Sequence, residues 1–166
     1  MPDHLIIGGD SAGGGLTLAT ALTLRDRAEK LPTALFLLSP WTDLTVSGDS
    51  IRTRADRDPL LQFMGSNELV RAYAGKEPLN HPYISPVFAD LHDLPPTLIQ
   101  VGSEEMIFDD SSRLKTRLTE AGVPNQFEEW DGMWHVFQAL APYVPEAEVA
   151  IRHIADFCNR MVPGDK

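Results

Sequence analysis

Short apolar runs alternate along this chain with longer stretches whose apolar residues recur at helical spacing. His4–Gly8 (HLIIG) is nearly all apolar and ends in glycines, the pattern of a strand buried on both faces. From Ala12 to Ala28, Leu16, Ala19, Leu22 and Leu24 fall at helical spacing, and the segment ends in charge. Thr33–Leu38 is a second apolar strand, stopped by Ser39-Pro40, and Thr97–Val101 is a third. Between them, residues 41–96 are rich in proline and turn formers and predict a single helix near Ser66–Ala74. Asp109–Ala121 opens with acidic residues and closes before Gly122 and Pro124, as a helix does. Asn125–Trp130 alternates like an edge strand. Val144–Met161 then sets Ala150, Ile154, Phe157 and Met161 on one helical face.

Strands alternating with helices specify an α/β architecture, a mostly parallel sheet of about four strands with flanking helices. Sites in such sheets form at the carboxyl ends of the strands. With 166 residues the chain suffices for a single domain, residues 1–166.

The net charge of −10 argues against a nucleic-acid partner or an anionic membrane surface. No apolar run is long enough to span a bilayer, and no signal peptide opens the chain, so a cytoplasmic protein is expected. The lone cysteine, Cys158, excludes an intramolecular disulfide and reads as a buried structural thiol.

The first candidate chemistry is Gly9-Asp10-Ser11-Ala12-Gly13, which fits G-x-S-x-G and lies between a strand and a helix. A serine on so tight a turn is held in a strained backbone, and small neighbours let the turn close. The Ser11 hydroxyl then points away from the sheet, and the Ala12 amide stands at a helix start where it can donate to an oxyanion. A phosphate-binding helix start is the competing reading of the pentapeptide.

A serine hydroxyl needs a base to take its proton. On this kind of turn, the acid and then the histidine follow the serine along the chain. His4 lies in the first strand, His153 in the last helix, and His81 and His92 in the irregular middle. His135 alone stands in a loop just after the last strand, where a base can reach Ser11. The acid should emerge after the third strand, where Glu104, Glu105, Asp109 and Asp110 crowd together. Sequence logic alone does not choose among them.

Together, Gly9–Gly14, Ser39-Pro40-Trp41-Thr42-Asp43-Leu44, Tyr83-Ile84-Ser85-Pro86 and Gly132-Met133-Trp134-His135-Val136-Phe137 resemble the hormone-sensitive-lipase-like microbial carboxylesterases of the α/β-hydrolase fold. The resemblance implies hydrolysis of short-chain carboxylic esters without metal or organic cofactor. It aligns Glu105 with the family's acid position, where aspartate is commoner, leaving Asp109 next and Glu104 third. Trp41, Phe63, Trp134 and Phe137 are candidate walls for the ester pocket.

Family members also carry a His-Gly-Gly-Gly motif before the serine, further strands and a cap, and none of these occurs here. The resemblance therefore covers the C-terminal half of that fold. A strand edge left without a partner invites association, as a homo-oligomer or through the first strand. Two rival readings follow: an inactive remnant, and a ligand-binding homologue that no longer turns over.

Overall fold

The computed structural model describes residues 4–61 and 67–162. Its strands are β1 (Ile6–Asp10), β2 (Ala34–Leu38), β3 (Thr97–Gly102) and β4 (Asn125–Trp130), all parallel and ordered β1-β2-β3-β4. The helices are α1 (Ala12–Asp26), α2 (Ser50–Thr53), α3 (Asn67–Ala74), α4 (Phe108–Glu120) and α5 (Pro145–Met161). The α/β class and the four parallel strands match the sequence expectation.

Alternation along each strand sorts the side chains into two cores. Ile7, Leu35, Leu37, Ile99 and Phe127 face α1 and α4, meeting Leu18, Ala21, Leu22, Leu114 and Leu118. Ile6, Ala34, Phe36 and Leu98 face the other way, against Ile154, Phe157 and Met161 of α5. All six β3 residues are buried, as a central strand requires, whereas β1 and β4 are the partly exposed edges. Gly8 is small for a packing reason. A Cβ there would stand 2.2 Å from the Phe36 ring, which crosses over β1.

Several expectations need correction. His4 precedes β1 and is exposed. Leu16 is 54% exposed, so α1 buries the Leu18–Leu22 face and turns Leu16 toward an open cleft. The segment from Trp41 to Pro96 holds α2 and a 3-10 turn at Pro86–Phe88 besides α3. Cys158 is only half-buried beside the α5 core, and burial raises its thiol pKa.

Candidate active site

The carboxyl ends of β1, β2, β3 and β4 each deliver a segment to one place. Ser11 links β1 to α1 with φ 51° and ψ −121°, a conformation costing about 1–3 kcal/mol for a residue with a Cβ. The turn is held from several sides. The Ser11 amide donates to the Leu38 carbonyl at 2.9 Å, and its carbonyl accepts from the Gly14 and Trp41 amides. Gly9 lets the turn close, because a Cβ there would lie 2.3 Å from the Gly13 carbonyl oxygen. Ala12 heads α1, where first-turn amides have no acceptor within the helix.

Beyond β4 the chain turns at Gly132 (φ 71°) and runs back across the tip of β3. Gly102 permits that crossing, since a Cβ there would come within 2.2 Å of the Met133 carbonyl oxygen. The Glu104 amide fastens the crossing by donating to the same carbonyl at 3.0 Å. His135 stands at its end, 3% exposed. Its Nε2 is 2.9 Å from Ser11 Oγ, and its Nδ1 is 3.0 Å from Glu105 Oε2. A carboxylate can only accept, so the imidazole proton sits on Nδ1 and Nε2 turns a lone pair toward the hydroxyl.

Glu105 is completely buried and its acceptor capacity is well used. Besides His135, it accepts from Ser39 Oγ and from the Gly102 amide, both at 2.6 Å to Oε1. The competing carboxylates are engaged elsewhere. Asp109 accepts from the Ser50 amide, and Glu104 faces Ser103 and Arg57. Asp110 accepts from the Thr42 and Asp43 amides, each at 2.7 Å. Burial pushes the Asp110 pKa up to about 7, although those two amides pull it down. Burial would also raise neighbouring Asp43, but the Ser47 and Thr45 hydroxyls and Arg113 outweigh it and lower its pKa.

The other histidines lie away from Ser11. His81 accepts from the Tyr83 amide, His92 pairs with Asp90 and His153 pairs with Glu128. Sequence reasoning missed Asp58, which is buried and accepts the Met106 amide, bracing the loop that carries Glu105. Only its tertiary contact reveals it.

An apolar cleft of about 250 Å³ opens beside Ala12. It is lined by Leu16 of α1, by Trp41 and Leu44, and by Leu69, Val70 and Tyr73 of α3. Of the four proposed pocket aromatics, Trp41 lines this cleft. Phe137 is instead fully buried against Trp130, and Trp134 packs beside it in the core under α5. Phe137 thereby anchors the His135 loop, and Trp134 stays half-buried beside it. Phe63 lies outside the described residues. Among the described residues no group of three or more His, Cys, Asp or Glu is placed to hold a metal ion, and no helix is long and apolar enough to cross a membrane.

Comparison with known proteins gives a consistent picture. A family model described as the alpha/beta hydrolase fold matches residues 1–139. An acetyl-hydrolase of Streptomyces hygroscopicus is 44% identical over 151 residues, covering 90% of this chain and 50% of that protein. An esterase of Acinetobacter venetianus is 38% identical over 161 residues, covering 96% of this chain and 53% of its own. A crystal structure of a hormone-sensitive lipase from a metagenome library superposes with a TM-score of 0.90 at 42% identity, over 94% of this chain and 52% of that one. The chain thus spans about half the length of the curated relatives it matches.

Proposed function

This chain belongs to the alpha/beta hydrolase fold family, among the esterases related to hormone-sensitive lipase, and from that membership we propose that it hydrolyses carboxylic esters through Ser11, His135 and Glu105. The observation that supports this reading is the unbroken line from Glu105 Oε2 through the imidazole to Ser11 Oγ, at 3.0 and 2.9 Å.

His135 Nε2 takes the Ser11 proton as Oγ attacks the carbonyl carbon, and the carbonyl electron pair moves onto oxygen. Glu105 stabilises the imidazolium so formed. The Ala12 amide at the head of α1 holds the oxyanion. Collapse of the intermediate expels the alcohol, which takes the proton from His135. Water then repeats the sequence on the acyl-serine, releasing the acid and restoring Ser11.

The cleft beside Ala12 supports an apolar substrate group of limited length, and a relative named an acetyl-hydrolase supports short acyl chains. A cytoplasmic location, and association through the outer edge of β1, belong to the same proposal. Light scattering of the purified chain tests the association, and a monomer removes it.

A fluorophosphonate probe tests the chemistry. Labelling of the wild type, abolished in Ser11→Ala, is the expected result. Absence of labelling in both favours a second reading, a folded but inactive remnant.

A further inference from the structure

Ser39 follows β2, is fully buried, and opens the Ser-Pro-Trp-Thr-Asp motif to which the mechanism above gives no role. Its hydroxyl makes both kinds of hydrogen bond at once. It donates to Glu105 Oε1 at 2.6 Å and accepts from the Val136 amide at 3.0 Å. Val136 adjoins His135 in the chain, so a single oxygen ties the carboxylate to the loop that carries the imidazole. Resting on the esterase reading, we propose that Ser39 is a positioning residue that holds the Glu105–His135 pair in register.

Geometry supplies the reason. Oε1 is pinned by the Ser39 hydroxyl and the Gly102 amide, which leaves Oε2 directed at His135 Nδ1. Without the hydroxyl, Oε1 keeps one donor and the carboxylate can swing, while the Val136 amide loses its acceptor. The backbone is unusual at both ends of this tie. Ser39 has φ 48°, and Val136, a β-branched residue, has φ 51° and ψ 39°. Such conformations persist only where the surroundings over-determine them, and the Ser39 hydroxyl is the contact the two share. Alanine offers neither donor nor acceptor, and threonine would add a branch at a positive φ.

Two variants of the full chain separate positioning from folding. Ser39→Ala and Ser39→Gly both delete the hydroxyl, but the glycine also relieves the φ 48° strain. Four quantities are measured: the fluorophosphonate labelling rate, kcat and KM for p-nitrophenyl acetate, the low-field proton NMR signal of His135 Nδ1–H, and the thermal midpoint. Both variants should label roughly ten- to a hundredfold more slowly, the size of a lost hydrogen bond to a charged group. The loss should fall on kcat with KM unchanged, and the Nδ1–H signal should broaden or vanish in both. Wild-type labelling and signal in either variant would overturn the proposal, as would a defect that follows the thermal midpoint and disappears in Ser39→Gly. If the wild type itself does not label, the esterase reading falls on its own. The NMR signal then decides: its loss in both variants sustains the positioning role, and its retention ends it.

Discussion

Substituting Glu105→Gln tests the acid while barely changing volume. The carboxamide has one acceptor and one donor end where the carboxylate has two acceptors. Its oxygen satisfies more donors in the Oε1 position, where the Ser39 hydroxyl and the Gly102 amide both point. Its NH2 then faces His135 Nδ1, a donor against a donor. The imidazole escapes by moving its proton to Nε2, and that nitrogen can no longer accept from Ser11 Oγ, 2.9 Å away. Enforcing the wrong tautomer in a triad costs about 10⁴-fold in kcat, equivalent to about 5.5 kcal/mol of barrier. Folding should suffer less, because the neutral side chain also avoids burying a charge. Labelling rate and p-nitrophenyl acetate hydrolysis are the assays, with circular dichroism to confirm the fold. Asp109→Asn is the comparison, expected within about threefold of wild type because its carboxylate serves the Ser50 amide. A Glu105→Gln protein within tenfold of wild type, or an Asp109→Asn protein that loses activity instead, would refute the argument.

Ser11→Gly should abolish labelling yet raise the thermal midpoint, since glycine relieves a φ of 51° that costs about 1–3 kcal/mol. An unchanged or lower midpoint would mean that the turn is not strained. Asp110 predicts a pH effect on stability: its pKa is raised from 3.8 to about 7, so the folded state binds the proton more tightly than the unfolded chain. Stability from this group is therefore complete below about pH 4 and is lost as pH rises toward and through 7. Asp110→Asn keeps an acceptor for the Thr42 and Asp43 amides, so urea titrations should show this pH-dependent loss abolished. Gly102→Ala should slow labelling at least tenfold, because a Cβ placed 2.2 Å from the Met133 carbonyl must push the His135 loop off β3. Normal labelling would show that the loop gives way without consequence.

Local patterning determined much of this protein. Apolar runs at Ile6–Ile7, Ala34–Leu38 and Thr97–Val101 read as strands because a doubly covered parallel sheet demands apolar side chains on both faces. The glycines around Ser11 announced a tight strand-to-helix turn, and chain order singled out His135 among the histidines. The strand and turn signals survive in one dimension because they depend on neighbours a few residues away, and that of His135 because it needs only order along the chain.

Other features were settled only when distant segments met. Four carboxylates follow β3 within eight residues, and nothing local separates them. The distinction is which one faces an imidazole 30 positions onward and which are taken up by Ser50, Arg57 and the Thr42 and Asp43 amides. Leu16 and Phe137 show the same limit for apolar residues: periodicity could not tell that the first borders an open cleft or that the second is sealed beneath the histidine loop. Ser39 carried no recognisable chemical signal, because its partners lie 66 and 97 residues away. Patterning reports what a segment can become. Which polar groups share one buried site depends on sheet order and loop crossings, and therefore on contacts between residues far apart in the chain.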